Sequence, residues 1–447
     1  MAHYVPHTPD EIREMLQVLG MVSLEDLYSD IPESCRLKRP LKLEKGITEI
    51  ETLNFFKKLA AKNKTVDDCI CFLGAGAYDH IIPAAIDHLL LRGDFFTAYT
   101  PYQAEVSQGT LQAIYEFQSL ISSLAGLDQA NASLYEGGSA IVEACLMASR
   151  KTRRKKILVA DTVNPDYLRV VRSICETSGL EIVAVKTKSG KASLEDFVPS
   201  LDSTVAAVVL QYPNFYGQVE KIKDFADKAK EAGTLTIISA NPIALAMLEA
   251  PGHMGADIVV GEGQPLGINL SFGGPYLGYI AATKHLLRQM PGRIAGKTVD
   301  VDGKTGYVLT LQAREQHIRR ERAGSNICSN QALMALNATI YMTLMGKHGL
   351  KEVANQCFQK AHYLYNELKK QGKVTLPCSQ AFFHEFVAVI PNAAKVMEQM
   401  LEKGFFAGVL LEEFNPALKD HVLIAVTEKR TKEELDLYVK TLGGILK

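Results

Sequence analysis

The sequence predicts an α/β protein: a large domain on a mainly parallel sheet, a smaller C-terminal α+β domain and an N-terminal helical arm. Three observations predict it. Between residues 140 and 282, short, continuously apolar strands alternate with helical patterns, as in a parallel sheet covered on both faces. Beyond residue 330, apolar helices mix with two strand-like runs. Before residue 66, short polar helices have no apolar set large enough to enclose a core. The expected divisions are 1–66, 67–329 and 330–447, since 447 residues exceed one compact core.

In the arm, Thr8-Pro9-Asp10-Glu11 reads as a capping box with proline at the first helical position. Ile12, Met15, Leu16 and Leu19 follow at helical spacing, and Gly20 ends the run. Thr48 with Glu51 starts a second helix. The arm is expected to pack on another body of protein. Next comes a loop, Gly74-Ala75-Gly76-Ala77-Tyr78-Asp79, then a helix over 81–91. Proline at 101 excludes regular helix around Thr100. A helix then runs over 109–125, with Gly126 at its end.

Strands are predicted over 157–160, 181–185, 205–210, 234–238, 257–260 and 278–282, and helices over 141–148, 165–178 and 220–232. In the last third, helices are expected over 330–345 and from 351, strands over 386–390 and 422–426, and a closing helix over 431–442 boxed by Glu434.

Composition narrows the function. Hydrophobic residues make up 47 % and charged residues 22 %, as in an ordinary globular protein. A net charge of −1 gives no global argument for nucleic acid or an anionic membrane. No apolar run approaches the roughly 20 residues that span a bilayer. The first residues lack the basic and apolar regions of a signal peptide. The eight cysteines are scattered without zinc spacing, so no metal is expected. Reduced thiols in the cytoplasm are the plain reading.

Four stretches bear on chemistry. Gly137, Gly138 and Ser139 open a helix, where free N–H groups suit a phosphate or carboxylate. A plain helix capped by Ser139 is the alternative, and Glu136 beside it repels an anion unless it points away. Tyr99, Thr100, Tyr102, Gln103, Glu105, Ser107 and Gln108 crowd hydrogen-bonding groups onto an irregular segment, which suits a site wall or a helix-capping loop. Arg314, Arg319, Arg320 and Arg322 share nine residues with His317 and two glutamates, which suits an anion site or a solvated ion-paired helix. Gly261-Glu262-Gly263-Gln264-Pro265-Leu266-Gly267 echoes a dinucleotide loop, but Pro265 and the missing helix exclude that reading. Residues 231–283, which hold this loop, contain no lysine or arginine.

Residues 99–109, 133–144, 251–278 and 290–332 together resemble the glycine decarboxylase P-protein family of the glycine cleavage system. The likeness is strongest to the N-terminal half, which exists in many bacteria as a separate subunit 1. The words that carry it are Pro251-Gly252, Gly255-Ala256-Asp257, Gly261, Gln264, Gly273-Gly274-Pro275, Met290-Pro291-Gly292-Arg293, Arg314-Glu315-Gln316-His317-Ile318-Arg319-Arg320 and Ser325-Asn326-Ile327-Cys328. The resemblance implies a fold type I pyridoxal-phosphate architecture. It implies a reaction in which glycine loses its carboxylate and its aminomethyl group passes to lipoamide on the H-protein. It places the cofactor lysine on the C-terminal half or on a separate subunit 2. Gln264 stands in the region where that amine is expected, and an amide cannot form the imine. Asn241 stands near where an acidic partner of the pyridine nitrogen is expected.

The expected function is therefore a lysine-free subunit of glycine dehydrogenase (decarboxylating). No catalytic residue is assigned to it, and pyridoxal phosphate is expected on the partner, not covalently on this chain. The seven residues of 99–108 are the candidate wall of the active site. Arg314, Arg319 and Arg320 are candidates for anion steering or carrier docking. The rivals are a self-sufficient enzyme using another lysine, such as Lys284, and a structural or regulatory paralogue.

Overall fold

The computed structural model describes residues 6–187, 190–271, 273–325, 331–377 and 381–446. Asn326, Ile327, Cys328 and the side chain of Arg314 lie outside the described residues. The molecule divides into two compact units, Met1–Asn63 and Lys64–Lys447.

In the first unit both capping boxes form. Thr8 Oγ1 accepts from Glu11 N at 3.3 Å while Glu11 accepts from Thr8 N at 2.6 Å, and the helix runs Pro9–Val18. Thr48 and Glu51 start Glu49–Ala60 in the same way. Among the described residues of this unit only Leu16 is buried, while Val22, Leu43 and Ile50 are largely exposed.

The second unit is built on a seven-stranded sheet. Its strands lie side by side as Gln129–Ala130, Gly278–Ala282, Ile258–Glu262, Leu235–Ala240, Val205–Tyr212, Lys156–Ala160 and Glu181–Val185. The five from Ile258–Glu262 to Glu181–Val185 run parallel, and Gly278–Ala282 is antiparallel to both of its neighbours. Val205–Leu210 and Ile258–Val260 are entirely buried, which is why they appear in sequence as unbroken apolar runs. The helices Gly137–Thr152, Pro165–Thr177 and Ile222–Glu231 supply the covering apolar faces.

A second core forms around Phe72, Leu364, Phe386, Ile424 and Tyr438. It packs on the antiparallel strands Glu385–Val389, His421–Ala425 and Val409–Leu410. The helix Ala332–Gln371 serves both cores, giving Ala338 and Tyr341 to the first and Ala361 and Leu364 to the second. It bends at Gly346 (φ 57°, ψ −174°), where expectation had two separate helices. None of the described helices is long and apolar enough to cross a membrane.

Several elements differ from expectation. The helix expected over 81–91 covers only Ala85–Leu90, because Pro83 has no N–H and restricts Ile82. The helix expected from 141 begins at Gly137. Cys71 lies in a two-residue strand, Ile70–Cys71, which pairs with Phe405–Phe406 and so joins the second core's neighbourhood. The hairpin Ile294–Val299 with Thr305–Thr310 and the helix Ala393–Glu402 were not expected. The arginine-rich stretch is no continuous helix, since Arg320 takes φ 53° and splits it into single turns.

Candidate functional site

In a parallel sheet, ligands bind at the carboxyl ends of the strands. Here that crevice is closed down to a cavity of about 30 Å³, lined by Gly76, Tyr78, Tyr167, Gln211, Ser239, Asn241, Glu262 and Pro265, among others. Such a space holds about one water molecule.

Three carboxylates are hydrogen-bonded around it, and of these Glu262 lines it. Glu262, at the end of its strand, is buried, and its two oxygens accept from Gly137 N at 3.1 Å, Gln264 N at 2.9 Å and Leu277 N at 3.1 Å. Burial pushes its carboxyl up to about 8, against the pull of those three donors. Glu136 caps the helix Gly137–Thr152, accepting from Ser139 N at 2.5 Å and from Gly138 N. Glu385 enters from the start of the strand Glu385–Val389, accepting from Tyr78 Oη at 2.6 Å and from Ala75 N at 2.8 Å. Burial pushes its carboxyl up to about 7 and pushes the Tyr78 hydroxyl well up as well.

The glycine-serine helix start is therefore not open. Its first three N–H groups are engaged by Glu262 and Glu136, and the cap is Glu136 and not Ser139. Glu136 turns to the helix start, the orientation in which it repels an anion. Gln264 is buried and holds the loop before it: Oε1 accepts from Tyr78 N at 2.9 Å, and Nε2 donates to Tyr78 O at 3.0 Å and Ile268 O at 2.8 Å. Asn241 lines the cavity but turns its Oδ1 back to Ile243 N and Ala244 N. Lys284 is exposed, with its backbone N–H on Asp128. It is not among the cavity's lining residues.

The candidate wall lies elsewhere. None of Tyr99, Thr100, Tyr102, Gln103, Glu105, Ser107 or Gln108 lines the crevice cavity. Tyr102, more than half exposed, sits over the buried Arg293 (5.7 Å from guanidinium carbon to ring centre) and 6.3 Å from the His317 ring. Arg293 Nε lies 3.8 Å from Glu315, which His317 also approaches at 3.6 Å. Gln108 is a clamp: its amide both accepts from Tyr307 N and donates to Tyr307 O, at 2.8 Å each, fixing the unexpected hairpin. Ser107 caps its helix through the backbone only, and Gln103 and Glu105 are exposed.

Arg319 lines a cavity of about 310 Å³ with Arg150, Arg288, Arg322 and Glu315, while Arg320 is exposed. Arg150 was not anticipated. It donates to Gly324 O at 2.6 Å and Gln289 O at 3.0 Å, tying the arginine-rich segment to a core helix. Sequence reasoning also missed Glu262, Glu385, Tyr78 and Tyr167. The one signal for Glu262 was an acid in a long window without a single cation.

The sequence model of the glycine cleavage system P-protein matches residues 2–442. The chain belongs to the glycine cleavage system P-protein family. A P-protein family relative from Carboxydothermus hydrogenoformans, the probable glycine dehydrogenase (decarboxylating) subunit 1, is 52 % identical over 441 residues and covers 99 % of each chain. The crystal structure of an inhibitor-bound glycine decarboxylase (P-protein) superposes with a TM-score of 0.92 at 40 % identity, over 99 % of this chain and 100 % of that one. Glutamate decarboxylase from Lactobacillus brevis shares the fold alone, with a TM-score of 0.67 at 11 % identity over 94 % and 96 % of the two chains. The architecture is that of the fold type I pyridoxal-phosphate enzymes.

The residues of this P-protein crevice do not fit that cofactor. An imine needs an amine, and no lysine lines the cavity. A phosphate needs free donors, and the helix start spends its donors on two carboxylates. The space itself suits one water and not a substituted pyridine.

Proposed function

We propose that this chain is the lysine-free subunit of a two-subunit glycine dehydrogenase (decarboxylating). It acts with a lysine-bearing subunit 2 that holds pyridoxal phosphate, and the aminomethyl group leaves on the lipoyl H-protein. The observation that carries the reading is the crevice of a cofactor fold closed by the chain's own carboxylates. The cofactor, when bound by the partner, supplies the electron sink for decarboxylation. This chain supplies surface and position. Tyr102, held by Arg293, and its neighbours Tyr99, Thr100, Gln103, Glu105, Ser107 and Gln108 form a wall of the shared site. Arg314, Arg319 and Arg320 steer anionic substrate or dock the carrier. The six described cysteines are free, which supports a reducing, cytoplasmic setting.

Two measurements test this. Borohydride trapping should label a lysine of the partner and none of this chain, and glycine–bicarbonate exchange should need both proteins. A trapped lysine on this chain, Lys284 included, sinks the reading. Tyr102→Ala should lower kcat/KM of the assembled complex on the order of tenfold with cofactor content unchanged, a loss of about 1.4 kcal/mol. Unchanged turnover would instead favour a purely structural paralogue, the reading to which a closed crevice also lends support.

A further inference from the structure

Five backbone N–H groups converge on two side chains in the crevice. Gly137, Gln264 and Leu277 donate to Glu262, and Gly138 and Ser139 donate to Glu136. Three of the five are the first free donors of a 16-residue helix, where the helix dipole adds positive potential. The glycines are needed for this close approach. A Cβ at Gly137 would lie 2.8 Å from the Tyr167 ring, and one at Gly138 would lie 3.0 Å from Glu136 Oε2. Such a nest of donors at strand ends is built for an oxyanion.

Both carboxylates reach it from the chain itself. Glu136 arrives from the residue just before the helix, extended at φ −160°, ψ 178°. Glu262 arrives from the neighbouring strand end and is buried. Three N–H donors on its two oxygens pull Glu262 towards the ionised form, against the burial that raises its carboxyl to about 8. Tyr167 and Tyr78 complete the packing around them.

We propose that Glu136 and Glu262 are built-in ligands that permanently occupy an oxyanion site, so that the crevice is sealed against phosphate by the chain's own carboxylates. The site is intact in its donors and lacks only vacancy. The consequence is a gain of binding on removal of side chains. This stands apart from the partner assignment, because it concerns only what the isolated full chain binds.

The test uses the purified full chain and inorganic phosphate, read by calorimetry and by phosphate-dependent thermal stabilisation. Wild type should show no saturable phosphate binding at the crevice. Glu136→Ala/Glu262→Ala should bind phosphate at least tenfold more tightly than wild type, with sulfate competing. Glu136→Gln/Glu262→Gln, which refills the space with neutral acceptors, should not. Glu136 is only half-buried, so the single variant Glu136→Ala is expected to fold and to show a weaker gain, and it decides the matter should the double variant be insoluble. The proposal is overturned by phosphate binding in wild type that matches the alanine variants, by no gain in a folded alanine variant, or by equal gain in the glutamine variant. Partner-dependent exchange activity, measured in parallel on wild type, reports on the subunit reading and is independent of these outcomes.

Discussion

Glu428→Ala will cost the folded chain about 3 kcal/mol, the upper range for leaving buried donors without their acceptor. Glu428 is the meeting point of three donors from different parts of the second unit. His80 Nδ1 lies 2.7 Å from one carboxylate oxygen, Ile81 N donates to the other at 2.7 Å, and Cys357 Sγ donates at 3.3 Å. His80 and Cys357 are buried, so neither finds water when the carboxylate goes. Next to this group Lys429 and Arg430 hold Asp79 at 2.7 and 3.2 Å, so the 79–82 loop is pinned twice by the same short segment. Chemical denaturation of wild type and variant measures the loss. Acid titration gives an independent check. Burial works against ionisation of Glu428, yet the bonds from His80 and Ile81 prevail and hold its carboxyl at about 2. A carboxyl depressed in the folded state stabilises fully above its unfolded value, and that stabilisation disappears as pH falls towards 2. The corresponding acid-induced loss between about pH 4.5 and 2 should flatten in Glu428→Ala. An unchanged acid limb would mean that the pairing contributes nothing.

Gly217→Ala will destabilise by more than about 4 kcal/mol, the magnitude that marks a forced backbone clash in a core. Its φ is +85°, and a Cβ there would lie 1.9 Å from the carbonyl oxygen of Glu385. That contact is between two backbones and cannot be relieved by turning a side chain. Gly217 O also accepts from Phe383 N, and Val219 N donates to Ala381 O, so the clash pries apart the seam between the large sheet's loops and the strand Glu385–Val389. Glu385 carries the Tyr78 bond in the crevice, so the disturbance reaches that site as well. Gly303→Ala is the control. It shares a positive φ of 78° but has nothing within 4 Å, so only the left-handed strain of about 1–2 kcal/mol applies. Equal thermal melting shifts for the two variants would refute the steric account.

What could be read in the sequence followed the strength of local signals. The capping boxes at Thr8, Thr48 and Thr431 were legible because cap and partner lie three residues apart. The sheet was legible because strands buried on both faces cannot hide their apolar runs. The hairpin was not. Its strand Ile294–Val299 is buried at one end and exposed at the other, so no clean alternation announces it, and the register is fixed from afar by Gln108. The arginine stretch has good helix formers throughout, and nothing local foretells the turn at Arg320.

The site was legible as a loss and illegible as a replacement. A window without lysine shows that an amine is missing, since absence is a property of composition. What stands in its place depends on side-chain direction. Glu136 could face either way, and Glu262 and Glu385 meet the crevice only through folds more than a hundred residues apart.

The bent helix Ala332–Gln371 makes the two cores joint owners of one beam. Fraying at either end of that beam strips apolar support from the core packed there and loosens the anchor of the half that serves the other. Neither lobe can then loosen in private, and damage to one is shared by both.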